Sequence, residues 1–428
     1  MAEASRQHAF QAPTGTRDFY PADLNRLRYI QDAWRRTSIN HGFDEIDGPT
    51  FEHLDLYTAK SGEGIVSELF SFERFGGEKT FALRPEFTPT LARLYAAKAA
   101  SLPKPTKWFW QQNCFRAERP QRGRLREFSQ WNCDIIGDDS PDADAEVIAC
   151  AVGMFESLGL THQHLRVRVN DRRVVGDLLR HAGLREDRAE VGLALLDRRT
   201  KIDAPTLTKQ AAELGLDMAS FDRAAAGAHE SPTAQALMER LGRVGLREWV
   251  AWDLSIVRGL AYYTGMVFEV HEATGAERAI AGGGRYDKLI EMFGGPPTPA
   301  VGFGMGDVVL SLVLQDKGLM PTDEQMTATL GLRPDAFVVA SSEELDTLIP
   351  KVLADLRRAG PDAPGLHARR SYKTTRNVGK LIQDAVKSRA RFCIIIESAT
   401  HAQLKNLDTQ AQSQVPIADL AAAIRAAN

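Results

Sequence analysis

The chain has 428 residues, 43% of them hydrophobic and 25% charged, with 53 basic against 56 acidic side chains and a net charge of −3. These values exclude fibrous and wholly disordered chains and imply two or three domains, with any nucleic-acid contact confined to local basic patches. No apolar run reaches the ~18–20 residues of a membrane span, the N-terminal MAEASRQHAF lacks a secretory core, and four cysteines without a C-x-x-C pair indicate a reducing, cytoplasmic setting with neither a disulfide framework nor a zinc site.

Leu24, Leu27, Ile30, Trp34 and Ile39 recur at helical spacing and predict an amphipathic helix over Asp23–Asn40, ended by Gly42. GFDEIDGPTFEHLDLY predicts a strand running into Pro49. Strands predicted at Phe81–Leu83, Trp108–Phe115 and Trp131–Ile136 are joined by polar, arginine-rich connections, as in antiparallel hairpins. Residues of about 172–247, rich in Ala, Leu, Arg, Asp and Glu, read as a helical insertion. Strand patterning returns at Trp252–Val257 and Met266–Val270, ahead of AGGGRYD. Linker-like composition around Gly318–Pro334 divides the chain into a first domain, 1–330, and a second, 335–428. The second reads strand (Phe337–Ala340), helix (Glu343–Arg358), helix (Thr375–Ser388), strand (Phe392–Glu397), helix (Ile417–Ala426), which predicts a small α/β domain with a partly parallel sheet.

Four segments carry chemistry. From Cys114 to Gly137, the arginines Arg116, Arg119, Arg122, Arg124 and Arg126, with Arg84 upstream, crowd strands that are otherwise apolar. Planar guanidinium forks suit phosphate and can stabilise the charge of a phosphoryl-type transition state, although such a run also occurs as a solvated hairpin. Gln130 and Asp134 add polar groups within the apolar strand. In SIVRGLAYYTGMVFEV, Arg258 beside Tyr262 and Tyr263 reads either as a pocket for a small polar ligand or as core tyrosines. The glycines of AGGGRYD permit close backbone approach, or simply a turn before a helix. Gly302, Gly304 and Gly306, at period two, leave room beside one strand face for a flat ring.

TGTRDFYP, GFDEIDGP, FALRPEFTPTLAR, FRAERPQRGRLREF, VRGLAYYTG, AGGGRYD and TPAVGFGMGDVVL occur in the order of the histidyl-tRNA synthetase family, and the chain resembles that class II aminoacyl-tRNA synthetase family over almost its whole length. The resemblance implies an α+β catalytic domain with an antiparallel sheet and a helical insertion, followed by an anticodon-binding α/β domain. It implies ATP-dependent ligation of L-histidine to histidine tRNA through a histidyl-adenylate, by a homodimer built through GFDEIDGP, with ATP and Mg2+ as substrate and no prosthetic group.

By the same resemblance, Arg116 and Arg258 stabilise the attack of the histidine carboxylate on the ATP α-phosphate. Glu118 and Phe128 hold the adenine, and Arg124 meets the outer phosphates. Glu86, Phe87, Thr88, Gln130, Asp134, Tyr262 and Tyr263 form the histidine pocket, with the α-amino group on Glu86, Thr88 and Gln130 and the imidazole on Asp134 and Tyr263. Arg119 and Gln121 face the tRNA acceptor end. The chain departs from the common pattern at Ala261, at Asp134, and at Asp307-Val308, where the family usually carries Glu-Arg; these changes resemble the plant-organelle type. The basic run holding Arg369, Arg370, Lys373, Arg376, Lys380, Lys387, Arg389 and Arg391 is implied to meet RNA. Two other readings are a non-catalytic histidine-binding paralogue, such as the regulatory subunit of ATP phosphoribosyltransferase, and a tRNA-binding sensor module. The arginine loop and the C-terminal domain argue against the paralogue, and the lack of a kinase-like companion against the sensor.

Overall fold

The computed structural model describes residues 10–427 apart from 62, 200–201, 258–261, 276, 361–362 and 374–376. It divides into two compact units, Met1–Met320 and Pro321–Asn428. Among the described residues no helix is long and apolar enough to cross a membrane.

The first unit holds strands β1 (Asp44–Glu45), β2 (Phe51–His53), β3 (Ser71–Glu73), β4 (Thr80–Leu83), β5 (Thr106–Phe115), β6 (Glu127–Ile136), β7 (Leu165–Asp171), β8 (Val250–Trp252), β9 (Met266–Glu272), β10 (Ala281–Arg285) and β11 (Ala300–Gly306). Eight of them form one sheet in the order β1-β5-β6-β11-β10-β9-β7-β8, and β2-β4-β3 form a second, small sheet. The large sheet is antiparallel except where β1 pairs with β5 and β7 with β8. The strand expected to run into Pro49 is broken into β1 and β2, since proline and the preceding glycine interrupt the ladder.

Its helices are α1 (Pro21–Asn40), α2 (Asp55–Ser61), α3 (Thr88–Lys98), α4 (Pro141–Ser157), α5 (Arg172–His181), α6 (Ala189–Asp197), α7 (Ala204–Leu214), α8 (Met218–Ala225), α9 (Pro232–Arg243), α10 (Leu289–Met292) and α11 (Asp307–Asp316). Proline at the first turn starts α1, where its missing N–H costs nothing, and Ser140 caps α4 by accepting the Ala143 N–H. The five helices α5 to α9 lie between β7 and β8, and all but the last enclose a core of their own around Val175, Leu179, Leu193, Leu207 and Phe221; α9 adds Leu237 and Leu241 to the main core.

Alternation along β6 sets the two sides of the large sheet. Trp131, Cys133 and Ile135 enter the core shared with α1, α4 and α11, where Trp131 lies parallel to Trp34 at 6.0 Å and meets Phe303 edge-on at 4.8 Å. Phe128 and Ile136 belong to the opposite side, with Phe87, Trp110, Tyr262, Tyr263 and Tyr286. Between those two residues, this second face carries Gln130, Asn132 and Asp134.

The second unit comprises α12 (Asp323–Thr329), β12 (Ala336–Ala340), α13 (Ile349–Arg357), β13 (Ala368–Arg370), α14 (Val378–Lys387), β14 (Phe392–Ile396), β15 (His401–Asn406), β16 (Gln412–Pro416) and α15 (Leu420–Ala426). Its sheet runs β13-β12-β14-β15-β16, parallel over the first three strands and antiparallel beyond. α13 and α15 cover one face and α14 the other. β13, β15 and β16 are absent from the expected elements: β13 has only three residues, and β15 and β16 carry mixed polar sequences, which dilutes the alternation signal.

Candidate functional site

β5 and β6, ten residues each, form a hairpin, and residues 116–126 connect them as a loop. The loop tip is tight: Gln121 and Arg124 exchange backbone hydrogen bonds at 3.0 and 2.9 Å, and Gly123 takes the left-handed φ of 73° that this turn requires. Beneath the loop, the second face of β6, β11 and β10 forms the floor of a cavity of about 1060 Å³ including its open mouth. Glu86, Thr88, Arg116, Arg124, Phe128, Gln130, Asp134, Tyr262 and Tyr263, all singled out from the sequence, line it.

The floor depends on the glycines of β11. A Cβ on Gly302 would lie 1.8 Å from Asp134 Oδ1, and one on Gly304 would lie 2.9 Å from Gln130 Nε2. Room expected for a flat ring is therefore taken at these two positions by side chains of β6; Gly306 faces Phe128, at 3.8 Å from a built Cβ. AGGGRYD is a strand rather than a glycine turn: a Cβ on Gly283 would meet Gly302 O at 2.2 Å, and one on Gly284 would meet Met266 O at 2.5 Å.

At the inner end, Asp134 is buried, and the Tyr286 hydroxyl donates to its Oδ1 at 2.5 Å. Its Oδ2 is also buried and has no hydrogen-bond partner among the described residues. Burial pushes the Asp134 carboxyl up to about 7, with the Tyr286 hydrogen bond opposing the rise. A buried carboxylate oxygen without a partner, on a residue that lines a cavity, is an acceptor suited to an N–H donor. Gln130 Nε2 donates to Asn132 Oδ1 at 2.7 Å, and the Tyr262 hydroxyl donates to Glu86 Oε2 at 3.3 Å.

At the outer end the chemistry turns cationic. The Arg116 guanidinium lies over the Phe128 ring at 5.1 Å and donates through Nε to Pro85 O at 3.1 Å. Arg124 pairs with Glu118 at 2.9 Å. Arg278, which precedes β10, also lines the cavity.

Several expected residues stand elsewhere. Phe87 is fully buried and stacks on Trp110 at 4.3 Å, so its ring is core and its neighbour Thr88 reaches the cavity. Glu118 does not line the cavity and faces Arg124. Arg119 and Gln121 are exposed on the loop. Arg258 lies outside the described residues. Of the six crowded arginines only Arg116 and Arg124 line the cavity. Arg84 is buried, donating to Asn113 O at 2.8 Å and Gly48 O at 3.1 Å, while Arg126 donates to Glu118 O at 3.1 Å. Arg122 pairs outside with Glu277 and Asp316.

Asn132 and Tyr286 line the cavity and are not among the expected site residues. The alternation that aligns Gln130 with Asp134 also places Asn132 between them, and Tyr286 is the tyrosine of the AGGGRYD segment. Arg285 of the same segment is structural: buried, it pairs with Asp144 at 2.7 Å and donates to Ser140 O and Asp138 O, tying the start of α4 to β10. Asp307 is buried too, accepting the Ser129 N–H at 2.8 Å and pairing with Arg17 at 2.8 Å. It thus faces away from the cavity, and Val308 lines the wall.

In the second unit, Arg370 lies over the exposed Tyr372 ring at 5.0 Å, and Lys373 pairs with Asp384 at 2.5 Å. Arg376 lies outside the described residues.

Comparison with known proteins gives the family of the chain. The family model described as histidyl-tRNA synthetase matches residues 15–307. The chain is similar to the histidine–tRNA ligase of Opitutus terrae, 36% identical over 97% of this chain and 98% of that one. It is also similar to the chloroplastic/mitochondrial histidine–tRNA ligase of Arabidopsis thaliana, 36% identical over 81% of this chain and 73% of that protein. Among solved structures, the histidyl-tRNA synthetase of Nostoc superposes with a TM-score of 0.72 at 25% identity, covering 98% of this chain and all of that one. With the sheet order of a class II synthetase and relatives matching nearly end to end, the chain belongs to the histidyl-tRNA synthetase family.

Proposed function

We propose that this chain ligates L-histidine to tRNA at the expense of ATP, in two steps at the cavity described above. The observation that carries this reading is one cavity lined at its inner end by Asp134, whose buried Oδ2 has no partner among the described residues, and at its outer end by arginines. Asp134 accepts an imidazole N–H of histidine there, with Tyr286 fixing its other oxygen and Tyr263 beside it. Glu86, Thr88 and Gln130 receive the α-ammonium. That places the amino-acid carboxylate toward Arg116, whose cation offsets the charge that grows on the α-phosphate as the carboxylate oxygen attacks and pyrophosphate leaves. Phe128 packs against the adenine, and Arg124 meets the outer phosphates once it is released from Glu118. In the second step a 3′-terminal ribose hydroxyl of tRNA attacks the carbonyl carbon of the adenylate, and AMP departs.

Mg2+ belongs to this reading as part of the substrate, carried on the ATP phosphates, whose oxygens suit its hard coordination. Among the described residues no group of three or more His, Cys, Asp or Glu side chains is placed to hold a metal. Arg119 and Gln121, exposed on the loop, are assigned to the acceptor end, and residues from Pro321 onward, with Arg369, Arg370 and Tyr372, to the anticodon. A cytoplasmic homodimer built through residues 42–49 completes the reading. Phe51 and Phe72, exposed on the neighbouring small sheet, support such an apolar contact.

The test is ATP–pyrophosphate exchange with purified protein and each amino acid in turn. Exchange with histidine alone is expected. Histidine binding without any exchange would sink the adenylation step and favour the regulatory-subunit reading.

A further inference from the structure

The cavity wall where β11 enters α11 contributes only apolar groups, Val308 and Val309. Asp307, between them and the strand, is committed to Arg17 and Ser129. A cation does stand on this side of the mouth. A Cβ built on Gly123 would lie 3.2 Å from Val309 Cγ2 and 3.9 Å from Arg278 Cδ, so the Arg278 stem crosses the tip of the arginine loop beside Val309.

The segment bearing Arg278 is anchored. Its neighbour Glu277 is almost fully buried and accepts the Arg122 Nε–H at 2.8 Å, while Arg122 also reaches Asp316 of α11 at 3.3 Å. These contacts tie the loop, the segment before β10 and α11 together at one point. The Arg278 guanidinium makes no ion pair among the described residues and is exposed at the mouth. Partial burial, then the nearby Arg124 and Arg116, hold its pKa below the ordinary arginine value, with Glu118 opposing. Three guanidinium groups thus converge on one opening, with Glu118 beside them and a second carboxylate, Glu277, at the loop tip engaged by Arg122. Such a set calls for a polyanion.

We propose that Arg278 binds the outer phosphates of ATP and holds the pyrophosphate leaving group, supplying the cation that the Val308 side of the wall lacks. This rests on the adenylation reading for its substrate. AMP carries no outer phosphate, so the role is read from the preference for ATP over AMP.

The experiment is calorimetric binding of ATP, AMP and histidine to the full-length protein and to Arg278→Ala and Arg278→Lys. The expected result for Arg278→Ala is an ATP affinity lower by about tenfold or more, the loss of one charge-assisted contact, with AMP affinity within about twofold. Arg278→Lys should recover part of the loss, and unchanged histidine affinity reports an intact fold. An unchanged ratio of ATP to AMP affinity in Arg278→Ala overturns the proposal, as does a wild-type protein that binds the two nucleotides equally. Histidine-dependent exchange by the wild type is scored separately: its absence removes the adenylation reading, while the affinity ratio alone decides the role of Arg278.

Discussion

Replacing Asp134 by asparagine separates what the carboxylate does for the ligand from what it costs the fold. The side chain is buried, one oxygen receives the Tyr286 hydroxyl and the other has no partner among the described residues. Burial raises its pKa from 3.8 to about 7. The folded state therefore holds the proton more tightly than the unfolded chain. Stability declines as pH rises from about 4 to 7, and the full cost is present above 7. At about 1.4 kcal/mol per pH unit, the cost is on the order of 4 kcal/mol. Asparagine has the same shape, keeps an oxygen for Tyr286 and carries no charge to desolvate. Asp134→Asn should therefore raise the denaturation midpoint of the empty protein at pH 8 and leave it nearly unchanged at pH 4. Histidine affinity at pH 8 should fall by about tenfold or more, because a charged acceptor becomes a neutral amide. Denaturant unfolding at the two pH values and calorimetry with histidine measure both effects. A variant less stable than wild type at pH 8, or a difference independent of pH, would refute the assignment of a strained, ligand-ready carboxylate.

Arg17→Ala leaves the buried Asp307 with only its backbone donors and should destabilise the first unit by about 1–3 kcal/mol in denaturant unfolding; a neutral effect would show that Ser129 alone satisfies it. Gly302→Ala drives a methyl group into Asp134, 1.8 Å from Oδ1, and should abolish histidine binding while circular dichroism still reports the sheet; retained affinity would mean that Asp134 is not the imidazole acceptor. A chain ending at Met320 keeps the whole cavity and should retain histidine-dependent exchange while losing most tRNA charging. Equal loss of both would contradict the division of labour between the units.

Period-two alternation is a local property, and it places Phe128, Gln130, Asn132 and Asp134 on one face of β6 without reference to any other strand. The arginine loop is likewise legible as a chemical type, yet its sequence does not say which cations turn inward. Arg84, Arg126 and Arg285 are the same residue type as Arg116 and Arg124, but the backbone carbonyls and the carboxylate that hold them lie away from the cavity, whereas Arg116 and Arg124, each with one such partner, still line it. Phe87 shows the same limit: beside Glu86 and Thr88 in one motif, it points into the core because α3 begins there and Trp110 offers a stacking partner.

The sequence by itself determined the class of the domains, the run of motifs, and the carboxylates and guanidinium groups from which a histidine and nucleotide site is built, since these follow from residue chemistry and short-range periodicity. Only the tertiary structure decided that Asp134 lies beneath Gly302 with its Oδ1 on Tyr286 and its Oδ2 without a partner among the described residues, that Asp307 turns away to Arg17 across 290 positions, and that Arg278 joins the cavity mouth. Those are outcomes of strand register and long-range packing, in which a side chain's role is set by partners that the local sequence does not contain.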